Sequence, residues 1–211
     1  MSTRRWMVIG MCGVAMMAVL TVRVVGQQSG TMSSMSHDSM MKMTPAQKIV
    51  NATSAAPATI SADATVLDWP ATEGAAPQVL RAGKNGWTCL PDMPDTKGND
   101  PMCVDAVWMN VLQAYLAHKA PEVKSVGIGY MLAPGGGWGS NSDPYAMKEA
   151  SDNHWGLHGP HLMILVPDLK SLAGLPTEPS NGGPYVMWSG TPYAHVMAPV
   201  PGPEMTPSSK R

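Results

Sequence analysis

Four histidines carry the richest potential chemistry in this chain. His154-Trp-Gly-Leu-His158-Gly-Pro-His161 packs three imidazoles into eight residues, and His195 follows in a later segment. Neutral imidazoles ligate zinc or copper, and three of them leave a fourth position open to water. The intervening Gly and Pro argue against a helix that would align His154 with His158. The set expected to share a metal is therefore His158, His161 and His195, with the last two on neighbouring strands. The competing expectation is plain loop histidines.

A second group lies near the start. Met32, Met35, His37, Met40, Met41 and Met43 supply thioether and imidazole donors that suit Cu(I), with Met35, His37 and Met40 at its centre. In a chain with 19 Met the same tract also reads as low-complexity sequence. Asp92, Asp95, Asn99 and Asp100 offer hard oxygens for calcium, but their spacing matches no EF-hand and Asp100 is better explained as a helix cap. No Gly-x-Ser-x-Gly elbow occurs, and Ser189-Gly190 suits a turn, so hydrolysis is not expected.

The last group is a strand face. Alternation puts Tyr193, His195 and Met197 on one side and Ala194, Val196 and Ala198 on the other, and a hairpin partner would bring Tyr185 and Met187 beside the first set. Tyr185, Met187, Tyr193, His195 and Met197 are the expected ligand-binding surface, facing a cleft or solvent while the small residues form core; the competing expectation is that this face packs under the glycine loop.

These groups need elements to hold them. Ala64 to Trp69 and Gln78 to Arg81 read as strands, and Gly83-Lys84-Asn85-Gly86 as a turn into a strand at Trp87 to Leu90. Asp100 and Pro101 suggest the cap and first residue of a helix carrying Val104, Trp108, Val111, Leu112 and Tyr115 at helical spacing, which would put Cys103 in its first turn. Val123 to Leu132 alternates as a strand whose Gly127 and Gly129 form a flat face for close packing. Gly135-Gly-Gly-Trp-Gly139 reads as a mobile loop without the lysine of a phosphate cradle, and Asp143-Pro144 as the start of a short helix to Ala150. His161 to Val166 is a strand, and Tyr185 to Ser189 pairs with Tyr193 to Ala198. The sum is an α+β domain over residues 64–200, with a small, mostly antiparallel sheet and one main helix.

The ends differ from this domain. Arg4 and Arg5 precede 17 uncharged, mostly apolar residues and a small-residue exit at Val24-Val25-Gly26, the pattern of a signal peptide over 1–26. Residues 27–63, rich in Met, Ser and Ala, are expected to be a disordered leader with a short helix at Thr44-Pro45, and 201–211 a Pro-rich tail. Cys12 leaves with the signal, so Cys89 and Cys103 are expected to form one disulfide in an oxidising compartment. Removing Arg4, Arg5 and Arg23 from the 14 basic residues leaves 11 against 15 acidic, a formal charge of −4. No basic stripe remains, so nucleic acid is not an expected partner, and no membrane span is expected after cleavage.

Thr3-Arg4-Arg5-Trp6-Met7-Val8 resembles in part a twin-arginine export signal. Gly86-Trp-Thr-Cys-Leu-Pro-Asp92, Gly98-Asn-Asp-Pro-Met-Cys103, Gly182-Gly-Pro-Tyr-Val-Met-Trp188 and Gly190-Thr-Pro-Tyr-Ala-His195 are similar to motifs of an uncharacterised family of exported bacterial proteins, over about residues 64 to 200. The resemblance implies export and a single domain; it carries no activity, cofactor or catalytic residue. The expectation is thus a periplasmic or secreted, noncatalytic domain that binds a small molecule or an envelope partner without a cofactor. The alternative is a copper or zinc protein.

Overall fold

In the computed structural model, which describes residues 43–200 apart from 73, 95, 180 and 181, the chain first forms two helices at its N-terminal side. Helix α1 is Pro45–Thr53 and α2 is Ala58–Ser61. Thr44 caps α1 in a capping box with Gln47, and Pro45 occupies the first turn. The expected disorder is therefore wrong for residues 43–63. Ala52, Ala55 and Ala56 are buried against Val66, Cys89 and Cys103, with Ile49 and Ile60 at the margin. Side chains too small to suggest a core let the helix lie close to the disulfide. Asn51 extends the docking: its Oδ1 accepts from Asp92 N at 2.7 Å, and its Nδ2 donates to Asn99 Oδ1 at 2.8 Å. Leu132 N donates to Ala55 O at 3.0 Å. The expected signal segment and residues 27–42 of the leader, with Met35, His37 and Met40, lie outside the described residues, as does the tail from 201.

The strands are β1 (Thr65–Leu67), β2 (Val79–Arg81), β3 (Thr88–Leu90), β4 (Gly98–Asn99), β5 (Met102–Val104), β6 (Gly127–Met131), β7 (Gly136–Ser140), β8 (Trp155–His158), β9 (His161–Leu165), β10 (Tyr185–Met187) and β11 (His195–Pro199). Eight form one sheet in the order β10-β11-β9-β6-β5-β3-β1-β2, and three form a second, β4-β7-β8. All pairs are antiparallel except β1 with β3. The protein has the expected α+β class, built on a larger sheet and a second, smaller one. Cys89 and Cys103 are bonded, and they sit directly opposite each other on β3 and β5.

The main helix, α3, is Ala106–Leu116 and begins five residues later than expected. Asp105 is its cap: Oδ1 accepts from Trp108 N at 2.9 Å and Oδ2 from Ile128 N at 2.7 Å, fastening the helix start to β6. Asp100 does not cap a helix, because its carboxylate accepts from Met93 N within the loop and the chain after Pro101 pairs as β5. Cys103 is accordingly a strand residue. Gly127 lets α3 approach, since a Cβ there would stand 3.0 Å from Val107 Cγ1, and the space over Gly129 is filled by the terminal methyl of Met163.

Two further expectations fail. Gly136–Ser140 is strand β7, where the glycines allow backbone contact: Gly136 has φ +62°, and a Cβ on it would lie 2.2 Å from the His158 carbonyl oxygen. Residues 143–150 form turns instead of a helix, held by Asp143 Oδ1 accepting from Tyr145 N at 2.9 Å. Among the described residues, no helix is long and apolar enough to cross a membrane.

Candidate functional site

Between α3, the inner face of the large sheet and the small sheet lies a cavity of about 250 Å³. Each wall follows from the packing. Helix α3 contributes Trp108, Val111, Leu112 and Tyr115, the face read in the sequence as core. The small sheet contributes Trp138 and Trp155, and the large sheet Met163, Met187, His195 and Met197. In register, Val104, Gly129, Met163, Met197 and Tyr185 form one row across β5, β6, β9, β11 and β10, and the Met187–His195 pair, two residues along, lies on the same face. The rim includes Met147, which is exposed, and Lys97, whose ammonium lies 4.4 Å from the Trp138 ring centre.

The expected ligand face is assembled, and it points inward. Tyr185, Met187, Tyr193, His195 and Met197 are all buried, and all but Tyr185 line the cavity. The opposite face, with Val186, Ala194 and Val196, packs on Leu172 as a smaller cluster. Tyr193 is fixed by a hydroxyl bond to Lys119 O at 2.8 Å and by Tyr145, whose hydroxyl lies 2.6 Å away. Tyr115 stacks between Tyr145 and Trp188, at centroid distances of 5.1 and 5.9 Å. Sequence reasoning missed Trp188 and Trp155 as cavity groups, and Tyr145 as the support behind Tyr193. Trp188 sits at positive φ just beyond β10, a placement that strand alternation does not encode.

Three of the four histidines come to the same cavity. His158, His161 and His195 line it, while His154 is exposed and paired with Glu178 at 2.6 Å. His195 is 1% exposed and stands edge-on to Trp108 and Trp188, at 4.9 and 5.1 Å. Its Nδ1 meets Tyr193 O at 3.0 Å, and His161 Nδ1 meets Gly159 O at 2.6 Å. A carbonyl only accepts, so both rings carry their proton on Nδ1 and leave a bare, buried lone pair at Nε2. His158 Nδ1 lies 2.8 Å from the Tyr185 hydroxyl. None of the three Nε2 atoms has a hydrogen-bond partner in the protein.

Burial sets their charge. It pushes His161 and His195 down to about 4, against the weaker opposing pull of their carbonyl partners, and it lowers His158 as well. Burial likewise raises the Tyr185 phenol to about 12, so it stays protonated. At neutral pH the cavity is a mainly aromatic and thioether-lined space with neutral imidazole acceptors in its wall, and Lys97, Asp100 and Asp143 also belong to its lining.

The carboxylate group plays a structural part. Asp92 Oδ1 accepts from Asp100 N at 2.7 Å, and Asp100 Oδ1 accepts from Met93 N at 3.0 Å, which ties the loop between β3 and β5. Burial and the neighbouring Asp100 raise Asp92 to about 8. Asp95 is outside the described residues. Among the described residues, no three His, Cys, Asp or Glu side chains are grouped as a metal site requires. Comparison with family models, curated proteins and solved structures gave no match.

Proposed function

We propose that this chain is an exported, noncatalytic domain that binds a small, largely apolar molecule in the cavity beneath α3. One observation carries the reading: a space of about 250 Å³ walled by tryptophan, tyrosine and methionine, with a few polar atoms set into it. Binding sites for small molecules have this character, concave and mainly apolar with a few placed polar groups. A cavity of about 150 Å³ is enough to hold benzene, so this one has room for roughly one or two rings. Export is supported by the signal-like N-terminus, by the motif resemblance and by the disulfide, which belongs to oxidising compartments.

The test uses the tryptophans of the wall. Toluene and indole, titrated into the full chain, should shift its intrinsic fluorescence saturably and raise its melting temperature. A protein that responds to neither would refute the reading.

A second reading, a soft-metal site, is favoured by one observation. Met163, Met187 and Met197 share the sheet face of His195, and thioethers with neutral imidazole suit Cu(I). Elemental analysis of protein purified from the exported fraction decides it: stoichiometric copper supports this reading, and metal-free protein that takes up no Cu(I) ends it.

A further inference from the structure

We infer that the cavity selects uncharged ligands bearing an O–H or N–H donor, held by the Nε2 lone pairs of His161 and His195. The inference rests on the reading of the cavity as a binding site and adds the chemical class of what enters it.

The argument begins with tautomers. Both Nδ1 atoms face backbone carbonyls, at 2.6 and 3.0 Å, so both rings must donate there and accept at Nε2. Both Nε2 atoms are buried without a protein partner. Nearby donors are already committed. Trp108 Nε1 donates to Met163 O at 3.1 Å, Trp188 Nε1 to Ser140 O at 2.9 Å, and the Tyr193 hydroxyl to Lys119 O. Buried acceptors are satisfied as a rule, and here both belong to rings that line one cavity. A ligand donor supplies what the fold does not.

The same geometry excludes other classes. An anion brings acceptors to acceptors, and imidazoles this deeply buried resist the protonation that would hold one. A purely apolar ligand fills the space but leaves the lone pairs unmet. Selectivity between analogues that differ by one donor is strongest where the site's own polar atoms would otherwise stay unpaired.

The probes are toluene, phenol, anisole and benzoate, each titrated calorimetrically at pH 7 into the full chain with its disulfide intact. A cavity without acceptors would favour toluene over phenol by about tenfold or more, the penalty for stripping water from an unbonded hydroxyl. Acceptors reverse that order, so phenol should bind at least as tightly as toluene and roughly tenfold tighter than anisole, which lacks the donor. Benzoate should bind more weakly than any of them. In His195→Leu and, separately, His161→Leu, the ratio of phenol to anisole affinity should shrink several-fold; the wild-type ranking stands as a test if either variant fails to fold. Toluene tighter than phenol by tenfold, or benzoate tighter than phenol, overturns the inference and leaves the cavity a binding site of another kind. No binding by any probe overturns both. Stoichiometric Cu(I) that displaces phenol overturns the inference as well, because the lone pairs would then belong to a metal.

Discussion

Met187 stands opposite His195 across the β10–β11 pair, and its terminal methyl reaches toward the same point above Gly139 as Cδ2 of His158, each 4.0 Å from where a Gly139 Cβ would lie. Gly139 therefore has open room on its cavity side. Gly139→Ala should cost little stability and may be compared directly with Gly136→Ala, whose Cβ would collide with the His158 carbonyl at 2.2 Å. Thermal melts should place the first within about 1 kcal/mol of the parent and the second several kcal/mol below it. Gly139→Ala should also weaken toluene binding by narrowing the cavity; equal losses of stability in both variants would show that the close approach of Gly136 to His158 is not what requires glycine there.

The buried histidines make stability depend on pH. His161 and His195 titrate near 4 when folded and near 6.5 when unfolded, so the unfolded chain binds more protons between these values. Stability should fall as pH drops from 6.5 to 4, by up to roughly 3 kcal/mol for each ring. Denaturant titrations across this range check it. His195→Leu should flatten the slope, and an unchanged slope would mean that His195 is not held neutral.

Asp92 works in the opposite sense. Its folded value is raised to about 8, so the folded chain retains a proton that the unfolded chain releases from about pH 4 upward, and this group's contribution is lost as pH rises toward 8. Asp92→Asn keeps the oxygen that accepts from Asp100 N. It should be more stable than the parent at pH 8 and gain less at pH 5. A uniform loss at both would indicate that the carboxylate, not the carboxylic acid, is the native form.

Cys89 and Cys103 close a loop with a sequence separation of 14. Replacing both with Ala should remove about 3 kcal/mol and lower the melting temperature by about 6–12 °C. A fall of only a degree or two would show that the unfolded chain is restrained in some other way.

Asp105→Ala should cost about 2–3 kcal/mol, because it orphans both Trp108 N at the helix start and Ile128 N in β6. Urea unfolding at pH 7 measures it. Since Trp108 hangs from this helix into the cavity, ligand affinity should drop in parallel.

What the sequence disclosed was the part governed by short-range rules. Alternation found β9, the β10–β11 hairpin and the side of it that carries Tyr193, His195 and Met197, and helical spacing found Trp108 and Tyr115. The paired cysteines were legible by elimination. Errors arose where a local signal had two meanings. Asp-Pro marks a helix start in general, yet Asp100 serves a loop and Asp143 a turn. A run of glycines suggests mobility, yet β7 uses them to bring backbones together. Packing of the hairpin face under the glycine segment was open to sequence reasoning, but not that this segment is a strand of a separate sheet, β4-β7-β8, since its pairing lies outside the large sheet.

Helix α1 has a consequence for the order in which the molecule can be completed. The partners of this helix and of the residues just after it come later in the chain: Asp68 for Lys48, Asp92 and Asn99 for Asn51, Cys103, whose sulfur lies 3.5 Å from Ala52 O, and Leu132 for Ala55 beyond the helix end. A polypeptide is made, and when exported is threaded, beginning with its N-terminal side. The first described segment to emerge thus cannot complete its docking until Leu132 has followed it. Contacts so distant along the chain form slowly. Through that interval α1 is a handle whose socket is incomplete, and its closure over the disulfide waits on residues that follow it in the chain.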